Sequence, residues 1–228
     1  MLALSSCCSR EQREVDVYAI RHGETAWSLS GQHTGTTDIS LTDNGRRLAE
    51  RLAPVLAKKA FALVLVSPRQ RARETCELAH LGARAVIDPD LAEWNYGEYE
   101  GLTSQQIRER APGWLLFRDG CPGGETPGDV GARADRVIAR VRDVDGNVAL
   151  FAHGHILRVL GARWMRPAGE RGTAFPARHR HVVRARSLSG DTGHQDLERP
   201  PSLRGRLESY LVQCLHQSGQ RIRQPPRQ

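Results

Sequence analysis

The chain carries the sequence VDVYAIRHGET at residues 15–25, so that an apolar run ends directly before Arg21 and His22. An apolar run of this length predicts a buried strand, and the residues that follow it predict a turn. A guanidinium and an imidazole are therefore expected at the carboxyl end of a strand. An apolar run that ends directly before charged or polar residues is the pattern that recurs in the rest of the chain.

Two further apolar runs follow this pattern, one at 61–66 that stops at Ser67-Pro68 and one at 148–152 that stops at His153. A fourth, short strand is predicted at 85–87, and residues 88–126 are predicted to be mostly irregular. Helical patterns cover residues 43–59, 69–81, 103–110, 130–144 and 156–164. Strands that alternate with helices predict an α/β fold, a three-layer sandwich whose mostly parallel sheet is covered by helices on both faces.

Ligands of such sheets bind outside the carboxyl ends of the strands. We expect three strand ends to meet in one cleft that carries Arg21, His22, Arg69, Arg71 and His153. Arginine and helix N-termini suit a phosphoryl group, and a neutral imidazole among them could attack phosphorus. A single histidine at a strand end is more often structural, and an arginine in a first helical turn is usually solvated. The combination favours a phosphoryl-transfer site.

The charge of the chain is unevenly distributed. The 228 residues have a net charge of +7, but the first 175 residues hold 23 Lys and Arg against 22 Asp and Glu. The last 53 residues hold 10 Arg against 4 acidic residues, with Tyr210 as their only aromatic residue. Nucleic-acid binding through this basic tail is the alternative from a different functional class. It is not the expected function, because the tail has neither a recognised motif nor aromatic residues for base stacking.

Several other classes are excluded by simple patterns. No apolar run approaches the roughly 18 residues that a membrane span needs. The odd number of cysteines and the lack of CxxC spacing indicate neither a disulfide framework nor a zinc site; they are Cys7, Cys8, Cys76, Cys121 and Cys214. Residues 1–14 lack the basic and apolar regions of a signal peptide, which predicts a disordered leader and a cytoplasmic protein.

The RHGET sequence at residues 21–25 is similar to the signature of the histidine phosphatase superfamily, which has the phosphoglycerate mutase-like fold. Three other segments resemble the family's motifs in the same order: SPRQRA at 67–72, LAEWNYG at 91–97 and AHGH at 152–155. The resemblance covers roughly residues 15–175. It implies an enzyme that needs no cofactor and no metal.

The resemblance also implies a role for individual residues. His22 matches the nucleophile that becomes phosphorylated, and Glu93 matches the acid that protonates the leaving oxygen and later activates water. The groups expected on the phosphate are Arg21, Arg71, His153 and the N–H of Gly154.

Within the superfamily, two features separate this chain from the mutase branch. Ser104 stands where mutases have a lysine, and Ser28 stands where they have an asparagine. The segments GQHTG at 31–35 and DGCPGGE at 119–125 resemble the phosphatase branch, which includes acid phosphatases and sedoheptulose-bisphosphatase-type enzymes. The prediction is a phosphomonoester hydrolase for small phosphorylated metabolites, with mutase-type transfer as the alternative. The residues expected to contact the substrate alcohol are Ser28, Gln32, His33, Thr34, Gly35 and Tyr96.

After Phe175 the chain departs from the family pattern. Residues 176–228 are predicted to be an atypical, largely disordered tail with one amphipathic helix at 203–215, and the closing strand or strands of the sheet are expected to be missing. A shift of reading frame near residue 176 is one hypothesis for this composition. The predicted organisation is a leader at 1–14, a phosphatase domain at 15–175 and this tail. A small phosphorylated substrate is the expected partner, and a homodimer is an open possibility.

Overall fold

The computed structural model describes residues 16–165 and a strand at 182–186. Five parallel strands form one sheet in the order β3-β2-β4-β1-β5. Their bounds are β1 Asp16–Arg21, β2 Phe61–Val66, β3 Ala85–Ile87, β4 Asn147–Ala152 and β5 Val182–Arg186. The predicted α/β class with a parallel sheet is confirmed.

The helices are α1 Ala26–Ser30, α2 Asp43–Glu50, α3 Ala53–Leu56, α4 Gln70–Leu78, α5 Ser104–Arg110, α6 Leu116–Asp119, α7 Pro127–Arg142 and α8 Gly154–Trp164. The single helix predicted over 43–59 is wrong, because the chain breaks into α2 and α3 next to Pro54. Proline has no N–H to donate, so it fits only the first turn of a new helix. Helix α4 also ends earlier than predicted, and His80 beyond it has a φ of 60° in the left-handed region.

The apolar side chains of the strands alternate between the two faces of the sheet, as the two-residue period of a strand requires. Val17, Val148 and Leu150 pack on the face that α7 and α8 cover. Ile20 and Phe151 pack on the opposite face, against residues of α3 and α4. Helices thus cover both faces, as predicted. No helix in the described part of the chain is long and apolar enough to cross a bilayer.

Strand β5 corrects one expectation, since it lies where the closing strand or strands were expected to be missing. Its backbone pairs in parallel with β1, from Asp16 opposite Val182 to Ile20 opposite Arg186. Without this pairing the N–H and C=O groups along one side of β1 would form an unpaired sheet edge. The leader, the helix predicted at 203–215 and the proposed frame change near 176 lie outside the described residues and stay predictions.

The carboxyl ends of β1, β2 and β4 lie at one edge of the sheet in close register. The His22 N–H donates to the Ala152 carbonyl at 3.0 Å, and the Ser67 N–H donates to the Phe151 carbonyl at 2.9 Å. His22, Ser67 and His153 therefore follow three adjacent strand ends. The cleft expected from the sequence lies at this edge.

Candidate active site

His22 has the tautomer of a nucleophile. Its Nδ1 lies 2.7 Å from the Gly23 carbonyl, which can only accept, so Nδ1 carries the hydrogen. The lone pair of the neutral ring is then on Nε2. Burial, followed by the positive charges of Arg21 and Arg71, lowers the pKa of His22 to about 3. The ring is consequently unprotonated at neutral pH.

The turn after His22 is held in place by close packing and by Glu24. A Cβ atom on Gly23 would lie 2.7 Å from the Gly45 carbonyl oxygen, so a larger residue would push the turn away from α2. The Glu24 carboxylate accepts from Thr42 Oγ1 at 2.6 Å and from Asn44 Nδ2 at 3.0 Å. These contacts explain why glycine and glutamate follow His22.

His153 lies beside His22 at the start of α8. The two ring centroids are 5.1 Å apart, and His153 Nε2 is hydrogen bonded to Ser67 Oγ at 2.7 Å. Burial, with the nearby positive charges of Arg71 and Arg21, lowers the pKa of His153 well below its usual range. Its buried Nδ1 has no hydrogen-bond partner among the described residues.

Arg71 brings a fully buried guanidinium to the site from the first turn of α4. Its two terminal nitrogens donate to three loop carbonyls, those of Thr37 at 3.0 Å, Thr34 at 2.8 Å and Gly35 at 3.3 Å. Its Nε, like that of Arg69, is buried without a partner in the part of the chain that the structure describes. A buried cation with an unused donor favours the binding of an anion.

Arg21 and Glu93 both lie close to Gly154, the first residue of α8. A Cβ atom built on Gly154 would be 3.6 Å from Arg21 Nε and 3.9 Å from Glu93 Oε2. The backbone N–H groups and positive dipole end of this 11-residue helix point into the same region. The Gly154 N–H therefore lies near the side chains that are predicted to bind the phosphate.

Glu93 is buried and fixed by backbone donors. Its Oε1 accepts from the N–H groups of Trp94 and Ile156, both at 2.9 Å, and its Oε2 accepts from the N–H of His155 at 2.9 Å. A carboxylate offers about four acceptor positions, so one is left for a reacting group. Glu93 therefore caps the start of α8 and keeps one acceptor position unused by these backbone groups.

His33 and Tyr96 come together on the side of the cleft next to Glu93. Their rings meet edge to face with centroids 4.8 Å apart, and the Tyr96 hydroxyl lies 2.5 Å from His155 Nδ1. Burial raises the pKa of Tyr96 well above its usual range and lowers the pKa of His155 well below its own. Tyr96 is therefore the donor of this bond and His155 the neutral acceptor.

The other predicted substrate contacts are engaged in local structure. Ser28 Oγ forms a capping box with Thr25, and Gln32 Nε2 donates to the Gly101 carbonyl at 2.8 Å. The Thr34 hydroxyl donates to the Gln32 carbonyl at 3.3 Å. A Cβ on Gly35 would lie 2.3 Å from the Trp94 carbonyl oxygen. Contact of these residues with substrate stays a prediction.

Three residues to which the sequence assigned no role take part in the site. Ser67 is the partner of His153, and the ring of His155 stacks on that of His33, with centroids 5.8 Å apart and planes at 6°. Phe117 meets His155 edge to face at 5.5 Å and remains 50% exposed. Ser67 and His155 belong to the motifs at 67–72 and 152–155, which were a usable signal, whereas nothing in the sequence singles out Phe117.

The arrangement can neutralise and hold a phosphoryl group beside a neutral imidazole and a carboxylate. The described residues contain no group of three or more His, Cys, Asp or Glu side chains that could hold a metal ion. The cations of the cleft are the arginines.

The chain is similar in sequence to known phosphatases. The chain is 40% identical over 187 residues to an acid phosphatase from Mycobacterium tuberculosis, a match that covers 77% of this chain and 92% of the relative. It is 37% identical over 177 residues to sedoheptulose 1,7-bisphosphatase from Saccharomyces cerevisiae, covering 64% of this chain and 65% of that one.

A solved structure of an open reading frame from Mycobacterium tuberculosis resembles the fold with a TM-score of 0.62 and 42% identity, covering 67% of this chain and 82% of that one. The family model that matches residues 17–198 is that of the histidine phosphatase superfamily (branch 1). This match covers most of the chain and extends past the boundary predicted at residue 175. The chain belongs to the histidine phosphatase superfamily.

Proposed function

We propose that the chain is a phosphomonoester hydrolase that acts on small phosphorylated metabolites through a phosphohistidine on His22. The observation that carries this proposal is the neutral His22 ring, whose Nε2 lone pair is available beside Arg21 and Arg71. The similarity to an acid phosphatase and to a sugar bisphosphatase supports hydrolysis of a phosphate ester. Sugar phosphates are accordingly among the first substrates to test.

In the first step, His22 Nε2 attacks the phosphorus atom as the bond from phosphorus to the leaving oxygen breaks. Glu93 in its protonated form gives its proton to that oxygen, which leaves as the alcohol. The guanidinium groups of Arg21 and Arg71 balance the charge on the three equatorial oxygens, with the N–H of Gly154 as an added donor. The product is a phosphorylated His22 and an ionised Glu93.

In the second step, water attacks the phosphorus atom and the bond between phosphorus and His22 Nε2 breaks. The Glu93 carboxylate takes a proton from the attacking water. The products are inorganic phosphate, the neutral His22 ring and a protonated Glu93, which restores the starting state. One buried carboxylate thus serves as acid and then as base.

Metal-independent turnover is part of the proposal, because Arg21 and Arg71 supply the positive charge that a metal ion would bring to the transition state. The predicted cytoplasmic location and the open question of a homodimer are further proposals that depend on other experiments.

Mutase-type transfer would pass the phosphoryl group from His22 to a second alcohol instead of water. An assay with a phosphoglycerate substrate distinguishes the two outcomes by the release of inorganic phosphate.

The decisive experiment is hydrolysis of p-nitrophenyl phosphate in the presence of a chelator by the wild type and by His22→Asn. Asparagine retains a donor for the Gly23 carbonyl but has no nucleophilic nitrogen, so turnover should be lost. We expect His80→Asn to retain full activity as a matched control, since His80 is exposed and asparagine tolerates its left-handed backbone. Quenching in alkali should trap phosphohistidine in the wild type. Chelator-resistant turnover that persists in His22→Asn would refute the proposal.

A further inference from the structure

An ion pair outside the reacting groups holds the segment that carries Glu93. Arg133 of α7 donates from Nε to Glu125 Oε1 at 2.7 Å and from its NH2 nitrogen to Glu125 Oε2 at 2.8 Å. The two side chains are only 14% and 21% exposed. A bidentate pair with this degree of burial has a well-defined geometry.

The arginine of this pair binds the chain just before Glu93. The remaining nitrogen of Arg133, NH1, donates to the Asp90 carbonyl at 2.8 Å and to the Ala92 carbonyl at 3.0 Å. Ala92 is the residue that directly precedes Glu93. One guanidinium therefore contacts both Glu125 and the backbone on the N-terminal side of the proposed acid.

The glutamate of the pair binds the chain just after Glu93. Glu125 Oε2 accepts from the N–H of Asn95 at 2.8 Å, and the Glu125 carbonyl accepts from Trp94 Nε1 at 2.9 Å. The Glu125 N–H also donates to the Asn95 carbonyl at 2.9 Å. The two residues that follow Glu93 are thus tied to the same ion pair.

Two glycines allow the segments to approach this closely. A Cβ atom on Gly124 would lie 2.3 Å from the Asn95 carbonyl oxygen. Gly97 has a φ of 51°, and a Cβ there would lie 2.2 Å from the Pro122 carbonyl oxygen. The DGCPGGE sequence at 119–125, which the family resemblance singles out without a role, thereby packs against the segment that follows Glu93.

We infer that Arg133 and Glu125 are positioning residues for Glu93, holding the backbone on both of its sides so that its carboxylate faces the leaving oxygen. The inference rests on the proposed function, in which Glu93 performs the proton transfer. Neither residue needs to touch the substrate. Their effect is exerted through the Ala92 carbonyl and the Asn95 and Trp94 donors.

The leaving group separates this role from simple stabilisation of the fold. An alkoxide such as that of glycerol is strongly basic and needs the proton of Glu93, whereas p-nitrophenolate leaves readily without it. Displacement of Glu93 should therefore slow hydrolysis of glycerol phosphate far more than hydrolysis of p-nitrophenyl phosphate. A loss of folded protein would lower both rates by the same factor.

The test compares kcat/KM for these two substrates in Arg133→Lys and Glu125→Gln, with Tm measured for each protein. Lysine keeps the positive charge but cannot form the bidentate pair with Glu125, and glutamine keeps an acceptor for the Asn95 N–H. We expect the ratio of glycerol phosphate to p-nitrophenyl phosphate turnover to fall about tenfold in each variant, since small displacements of a catalytic group are costly. Glu93→Gln should lower the same ratio further.

Asp135→Asn is the matched control, because Asp135 also lies on α7 and pairs with Arg163 of α8 through both carboxylate oxygens. We expect it to leave the ratio unchanged. Adding Arg133→Lys to Glu93→Gln should also leave the ratio where Glu93→Gln alone puts it, because both changes remove one function.

An unchanged ratio in either folded variant, Arg133→Lys or Glu125→Gln, would overturn the inference while leaving the proposed function intact. An equal loss of kcat/KM on both substrates would also overturn the inference, since it would indicate a structural role only. Turnover by His22→Asn at the rate of the wild type would instead overturn the proposed function. The two failures are therefore distinguishable.

Discussion

The cleft has two sides that are built in different ways. On the phosphate side, Arg21, His22 and His153 come directly from the ends of adjacent parallel strands, and Arg71 comes from the first turn of α4. These groups are held by backbone pairing of the sheet and by hydrogen bonds to loop carbonyls. Their positions depend on the most regular part of the fold.

On the alcohol side, the groups are aromatic rings and neutral histidines. His33 and Tyr96 come from irregular segments, Phe117 comes from the four-residue helix α6, and His155 comes from the longer helix α8. They meet through ring contacts at 4.8 to 5.8 Å. We propose that the rigid, cationic half binds the phosphoryl group and that the aromatic half selects the alcohol.

Among the changes that leave His22 in place and compare the two sides, Arg71→Lys on the phosphate side has the largest expected effect. A lysine ammonium cannot contact three loop carbonyls and the phosphate at once, so transition-state charge would be poorly balanced. We expect kcat/KM for p-nitrophenyl phosphate to fall by about 10²–10³-fold. Arg73→Lys, an exposed change on the same helix, should stay near the wild type. A loss of less than twofold for Arg71→Lys would show that the phosphate side does not depend on this fork.

The buried histidines predict a pH dependence of stability. Burial and neighbouring cations lower the pKa of His22 to about 3 and also lower the pKa of His153, so the unfolded chain binds more protons than the folded one below about pH 6.5. The free energy of unfolding should therefore decrease as the pH falls from about 6.5 toward 3. Urea unfolding at several pH values measures it, and His22→Asn should reduce the slope. A flat profile over this range would contradict the assignment of neutral, buried rings.

Phe117→Ala is a smaller change, confined to the alcohol side. Loss of its contact with His155 should raise KM for phosphate esters of bulky alcohols about threefold to tenfold, in line with the energy of one ring pair. Inhibition by inorganic phosphate should not change, because the phosphate side is untouched. Val55→Ala, an exposed apolar position on α3, serves as the control. If Phe117→Ala weakened inhibition by inorganic phosphate as much as it raised KM, the two sides of the cleft would not act separately.

Ser28→Ala should have the smallest effect on activity. Its hydroxyl accepts from the Thr25 N–H at 2.8 Å and completes the capping box of α1, so its loss should lower the free energy of unfolding by about 0.5–1 kcal/mol. We expect KM to stay within about twofold of the wild type, as the structural engagement of this hydroxyl implies. A marked rise in KM at unchanged stability would instead support the substrate contact that the family resemblance predicts.

How far the sequence predicts this fold depends on the range of the interactions involved. The strand at 61–66 and the strand ends at His22 and His153 follow from local apolar runs, because a buried strand of a parallel sheet is apolar along its whole length. The break next to Pro54 was missed, although proline chemistry is a local signal for it. Strand β5 could not be anticipated, since it depends on the free edge of β1, far away in sequence.

The α/β class, the superfamily and the chemical groups of the phosphate side all follow from the amino-acid sequence alone. Those features reside in short motifs such as RHGET at 21–25, where the spacing is set by a strand and its turn. Folding places the lone pair of His22 on Nε2 and brings Phe117 into contact with His155. It also pairs Arg133 with Glu125, which together hold both neighbours of Glu93. Each of these depends on atoms brought together by folding or on a hydrogen in one of two positions, and no local pattern of residue types encodes either.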